Sequence, residues 1–213
     1  VSKLNFPLLS FELSVPGDPS TAAFFAAAAV LVPDSELMMN RILTNPTRTG
    51  FFTALEKMGA EVECIRQWEE AGELMGDLKI FHGPLNAITL TNQDIPGLID
   101  ELPIIAIIAT QAVGKTEVRG AKELRIKECD RIHAICTNLK KMGVDIKELD
   151  DGFIINGPTK LKGTQIETFH DHRIAMAFTV AGLIADGNVI LDYPECAFIS
   201  YPEFYDELDN LTI

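Results

Sequence analysis

Three stretches of nearly unbroken apolar sequence limit what this chain can become. Residues 22–32 and 102–109 carry no charge, and the run at 172–185 becomes almost wholly apolar after its first two residues. The longest of these runs are too short to cross a bilayer. A helix that is apolar nearly all round cannot lie on a surface, so it must be covered on most sides. Three such helices in one chain must cover each other.

The surrounding sequence repeats the same order: apolar helix, strand, amphipathic helix, at an interval of roughly seventy to eighty residues. In the first pass, alternation at 9–15 predicts a strand, with Leu9, Phe11, Leu13 and Val15 on one face. Pro16–Pro19 turns the chain, and Ser20 or Thr21 can cap a helix over 22–31. A strand is predicted over 36–42, then a helix over 48–58 ended by Gly59. Further strands are expected at 60–65, 78–82 and 87–90, with the acidic segment 67–77 as a loop.

The second pass places an apolar helix over 101–113, a strand over 116–119 and strands over 145–148 and 152–156. Its amphipathic helix carries Ile132, Ile135, Cys136, Leu139 and Met142 and closes at Gly143. The third pass has a helix over 172–185, a strand over 189–192 and a last helix over 201–211. The echo extends to wording, LEKMGAEVE at 55–63 against LKKMGVDIK at 139–147. The pattern predicts one α/β domain over 1–213 with threefold internal pseudo-symmetry. Its βαβαββ-like units fall at about 15–90, 95–157 and 165–213, helices inside and sheets outside.

With 18 basic and 31 acidic residues the chain has a net charge of −13. That balance argues against nucleic acid or an anionic membrane as a partner. A small anionic ligand would need a local cluster of cations set against the overall field. The sequence shows no signal peptide, and its start at Val1 suits a fragment. The four cysteines, Cys64, Cys129, Cys136 and Cys196, form no CxxC pair. On a shared helix Cys129 and Cys136 would stand about 10 Å apart, beyond disulfide reach. Reduced thiols in a cytoplasm are expected.

Polar residues gather where the apolar helices begin: Asp18 with Ser20, Asp100, and Asp171 with His172. If the helices run parallel, their N-termini collect on one face, where free N–H groups and partial positive charge suit an anion. The same acids can equally be plain caps. The segment RIKECDR at 125–131 is denser in charge. A helix starting near Lys127 would set Lys127, Glu128 and Arg131 on one face. Two cations can grip a phosphate or carboxylate, and a carboxylate beside them can move a proton. The alternative is a solvated helix start. His172 and Arg173 add an imidazole and a guanidinium at the third helix start. His170 and His172 flank Asp171, but no third and fourth ligand accompanies them, so no metal is expected.

At these residues the chain resembles the 5-enolpyruvylshikimate-3-phosphate synthase family. The matching stretches are VPGDPSTAAFF (15–25), NPTRTG (45–50), IDELPIIAIIATQA (99–112), ELRIKECDRI (123–132), FHDHRIAMA (169–177) and SYPEF (200–204). The resemblance implies a two-lobed enzyme with helix ends facing a cleft, each lobe an inside-out α/β barrel of three pseudo-symmetric units. This chain would be the C-terminal lobe alone, with the N-terminal lobe missing. The implied reaction moves the carboxyvinyl group of phosphoenolpyruvate to the 5-hydroxyl of shikimate 3-phosphate and releases phosphate, with no cofactor. Asp100 would bind and help deprotonate the hydroxyl, Glu128 would handle the proton at the methylene carbon, and Lys127 would contact the shikimate and assist. Arg131 and Arg173, with His172 beside them, would hold phosphoenolpyruvate. The resemblance leaves open which of Lys127 and Glu128 gives the proton. Ile199 stands where many relatives have lysine, so no cation is expected there, and Cys129 stands where threonine is common. Two rivals remain: a UDP-N-acetylglucosamine 1-carboxyvinyltransferase on the same fold, and a non-catalytic anion-binding module.

Overall fold

The computed structural model describes residues 10, 12 and 14–211. Leu9, Phe11 and Leu13 of the expected first strand lie outside the described residues, and Ser10, Glu12, Ser14 and Val15 between and after them are not in a strand.

Helix α1 runs Pro19–Leu31, one turn earlier than expected, because Asp18 and not Ser20 or Thr21 is its cap. Asp18 accepts the Thr21 N–H, and Pro19 at the first helical position costs no hydrogen bond. Strand β1 (Glu36–Leu43) and helix α2 (Gly50–Lys57) follow. Segment 67–77 is not a loop. Strand β2 (Val62–Glu70) and strand β3 (Glu73–Phe81) form a long antiparallel hairpin closed by Ala71 and Gly72, with φ of 52° and 83°. Two positive φ values in a two-residue turn match the right-handed twist of the flanking strands. The acidic composition marked an exposed sheet face, on which Trp68 packs under the guanidiniums of Arg41 and Arg66.

After strand β4 (Thr89–Leu90) comes helix α3 (Leu102–Ala109), buried at every position, and then strand β5 (Gly114–Val118). Helix α4 spans Arg131–Lys141, with Asp130 as its cap accepting the His133 N–H. The expected helix start near Lys127 is therefore corrected: residues 127–129 are bends, and Cys129 is not on a helix with Cys136. Asp130 wins the start because it is the first side chain in this stretch that satisfies a free N–H. Strands β6 (Asp145–Leu149) and β7 (Gly152–Gly157) form a hairpin. Strand β8 (Gln165–Ile166), helix α5 (His172–Gly182), strand β9 (Ile190–Leu191) and helix α6 (Phe204–Leu211) complete the chain.

Among the described residues three sheets result, in strand orders β1-β3-β2, β4-β5-β7-β6 and β8-β9. Helices α1, α3 and α5 pack against one another in the centre. Each sits inside a crossover between parallel-paired segments: Gly17 with Ile42 around α1, β4 with β5 around α3, and β8 with β9 around α5. Helices α2 and α4, which carry the LEKMG and LKKMG echo, end alike. Met58 and Met142 are fully buried, and Gly59 and Gly143 turn with φ of 92° and 89°. The N–H of Ala60 reaches Leu55 O and that of Val144 reaches Leu139 O, both at 3.0 Å. Asn86 and Lys162 then donate their backbone N–H to the carbonyls of Met58 and Met142. Among the described residues no helix is long and apolar enough to cross a membrane.

Candidate active site

The three central helices run with their N-termini at one end. Arg173, in the first turn of α5, donates through Nη1 to the Asp100 carbonyl just before α3 at 3.2 Å. Ser20, in the first turn of α1, lies beside Glu101, the residue directly before α3, and acts to hold its carboxyl down. Free N–H groups of all three helices therefore point the same way.

Arg131 is the hub. Its side chain is 1% exposed, and it reaches three carboxylates: Nε to Asp171 at 2.7 Å, Nη1 to Asp100 at 3.0 Å and Nη2 to Glu128 at 2.6 Å. Asp171 is fully buried and accepts the backbone N–H of Arg173 at 2.8 Å and of Ile174 at 3.4 Å, which makes it the α5 cap. It is aimed by two left-handed residues before it, Phe169 and His170 (φ 54° and 56°). Buried Asn138 of α4 fixes the approach, bonding both the carbonyl and the N–H of Glu167.

Lys127 stands 3.4 Å from Asp100 and 3.8 Å from Glu123. Arg173 Nη2 lies 3.9 Å from Asp100. The side chains of Asp100, Lys127, Glu128, Arg131 and Arg173 thus form one connected group, although Lys127, Glu128 and Arg131 do not share a helix face. His172 opens α5 beside them, half-buried. Asp100 belongs to a short 3-10 turn and caps nothing, so of the three acids only Asp18 and Asp171 are caps.

Burial acts to raise the Asp100 pKa, but the positive charges of Arg173, Lys127 and Arg131 outweigh it and hold the carboxyl below its ordinary range. Burial pushes His172 down, against the pull of Asp171, so the imidazole favours its neutral form. Burial, aided by Asp171, pushes the Cys129 thiol up to about 12. Three cations, Lys127, Arg131 and Arg173, face Asp100, Glu128 and Asp171, with exposed Glu123 at the edge 3.8 Å from Lys127, so every cation of the cluster is paired. The sequence pattern marked these cations and carboxylates but not their pairing. It also missed Glu101, 5% exposed and 3.6 Å from Arg173, whose only signal was its place beside Asp100. Ile199 is exposed at the end of a 3-10 turn.

The fold is that of the enolpyruvyl transferases. The enolpyruvyl transferase NikO from Streptomyces tendae superposes over 93% of this chain with a TM-score of 0.70 at 19% identity, a likeness of fold. The chain belongs to the EPSP synthase (3-phosphoshikimate 1-carboxyvinyltransferase) family, whose profile matches residues 5–208. It is 47% identical over 96% of its length to the 3-phosphoshikimate 1-carboxyvinyltransferase of Persephonella marina, and 48% identical over 92% to that of Aquifex aeolicus. An EPSP synthase from Acinetobacter baumannii superposes with a TM-score of 0.89 at 36% identity, over 92% of this chain and 46% of the other. The chain spans about half the length of the curated relatives it matches, 48% and 46% of the two named here.

Proposed function

We propose that this chain is the C-terminal lobe of a two-lobed enzyme that transfers the carboxyvinyl group of phosphoenolpyruvate to the 5-hydroxyl of shikimate 3-phosphate. The observation that carries the reading is the Arg131 hub, which ties the DELP, KECDR and DHR segments into one network at the common end of three buried helices. The lobe is read as three pseudo-symmetric βαβαββ units at about 15–90, 95–157 and 165–213, with helices inside and sheets outside. The repeated parallel crossovers and the matched ends of α2 and α4 support it.

In this reading Asp100, kept ionised by its cations, accepts the hydrogen of the attacking hydroxyl as the C–O bond forms. Glu128 and Lys127 stand where a proton can move to and from the methylene carbon. Arg173 and the outer edge of Arg131 take the carboxylate and phosphate of phosphoenolpyruvate, with neutral His172 as a hydrogen-bonding neighbour. Because the cluster's own cations are all paired with acids, the N-terminal lobe must supply further cations for two multiply charged substrates. The enzyme is placed in the cytoplasm, with the missing lobe as its partner and no nucleic acid or membrane.

The test is a reconstitution with an N-terminal lobe. This chain alone should be folded and nearly inactive, because both walls are needed to orient substrates and exclude water. In the assembled enzyme Glu128→Gln should slow phosphate release by about 10²–10⁴-fold. Unchanged turnover would favour an anion-binding module. Preference for UDP-N-acetylglucosamine in an acceptor competition would move the assignment to the related transferase.

A further inference from the structure

Three described acids are buried: Asp77, Glu101 and Asp171. Asp77 accepts the Arg41 backbone N–H at 2.8 Å and is bound by the Arg66 guanidinium. Asp171 is held by Arg131 and the α5 N-terminus. Glu101 is different. Its Oε1 has no hydrogen-bond partner although its side chain is 7% exposed, and it stops 3.6 Å short of Arg173 Nη1.

The groups around it come from every element packed at that point. Ser20 of α1 stands beside it, and Arg48, before α2, donates to Ser20 Oγ at 3.2 Å and to Asp18 at 2.8 Å. Arg173 approaches from α5, and Asp100 is its chain neighbour. Arg173 Nη1 meanwhile donates to the Asp100 carbonyl. Glu101 therefore stands behind the guanidinium, with one lone oxygen in a site of low dielectric.

We propose that Glu101 is a positioning residue that competes, as a carboxylate, with an anionic ligand for the Arg173 guanidinium, so that an anion settles there as Glu101 takes up a proton. This rests on the proposed role of Arg173 in holding phosphoenolpyruvate. Lys127, Arg131 and Arg173 are already paired with Asp100, Glu123, Glu128 and Asp171, so an ionised Glu101 adds uncompensated negative charge beside an incoming anion. Removing that charge by protonation, and turning the carboxyl into a donor, removes the conflict. Burial favours the same form, raising the Glu101 pKa against the opposing effects of Ser20 and Arg173.

Calorimetry on the assembled two-lobed enzyme, with phosphoenolpyruvate and inorganic phosphate in buffers of different ionisation enthalpy, tests this. Wild type should take up more protons on binding than Glu101→Gln, and its affinity should fall relative to that variant as pH rises through the Glu101 titration. Well above that titration Glu101→Gln should bind about tenfold tighter, the effect of one charge several ångströms away at intermediate dielectric. In the chain with native Glu101, Arg173→Gln should abolish the same proton uptake, which provides a second measure if Glu101→Gln does not fold. Identical proton uptake and pH profiles in wild type and Glu101→Gln overturn the inference. Loss of no affinity in Arg173→Gln would instead reject Arg173 as the anion group, and the Glu101 role with it.

Discussion

Arg131 and Asp171 lie forty positions apart and meet where no solvent reaches, Nε to Oδ2 at 2.7 Å and Nη2 to Oδ1 at 3.4 Å. The same carboxylate caps α5, so one side chain fixes both a helix start and the guanidinium that orients Asp100 and Glu128. Burial would lower the Arg131 pKa, but its bond to Asp171 together with the charges of Asp171, Glu128 and Asp100 more than offsets this. The cation is therefore permanent, and its stability depends on its partners.

Asp171→Ala leaves that cation buried with only the more exposed carboxylates of Asp100 and Glu128. Breaking one side of a buried pair costs about 3–5 kcal/mol, and losing a cap about 1 kcal/mol. Urea unfolding should report a loss of this size. Arg131→Met together with Asp171→Ala should lose less than the sum of the two single changes, since no buried charge is left without its partner. Strict additivity would show that the two groups act independently.

The central helices were legible because an all-apolar segment has only one stable place, whichever neighbours it finds. The ends of α2 and α4 were legible through Gly59 and Gly143, where the left-handed turn favours glycine. The β2–β3 hairpin was not, because its outward residues are charged and its turn is Ala71-Gly72, a weaker signal than Asn-Gly. The site was half legible. Charge spacing marked Lys127, Glu128 and Arg131, but the helix geometry drawn for them was wrong, and they meet through bends and tertiary contact. Nothing in a linear pattern predicts that Asp171 lies under Arg131.

Stability should fall at acid pH through Asp100. Its folded pKa lies below the ordinary 3.8, so the folded state binds fewer protons than the unfolded one in the window below that value. The contribution is complete above pH 3.8 and is lost as pH falls through the folded value. Asp100→Asn should flatten this part of a stability–pH profile measured by chemical denaturation. A profile of unchanged slope would mean that Asp100 titrates alike in both states.

Two glycines should respond differently to the same methyl group. At Gly72 a Cβ meets nothing within 4 Å, so Gly72→Ala bears only the left-handed backbone at φ 83°, about 1–2 kcal/mol. At Gly152 the Cβ would stand 2.0 Å from the Val118 carbonyl oxygen on the paired strand. There the backbones of β5 and β7 must part, and Gly152→Ala should cost several kcal/mol, in the range of severe core lesions. Thermal melts of the two variants distinguish a strained turn from a broken ladder.

The four thiols should divide one against three. Cys64 is exposed, Cys129 is half-buried, and Cys136 and Cys196 are buried. Burial pushes Cys129 and Cys136 up to about 12 and Cys196 upward as well. Only a thiolate attacks a disulfide reagent, and a thiol with that constant is ionised in about one molecule in ten thousand at pH 8. A chromogenic disulfide should therefore label one equivalent rapidly in native protein, and four after denaturation. Cys64→Ser should remove the rapid phase and leave the slow one unchanged. A second rapid equivalent in Cys64→Ser would mean that Cys129, 3.5 Å from Asp171, is not held as a thiol by the carboxylate that orients Arg131.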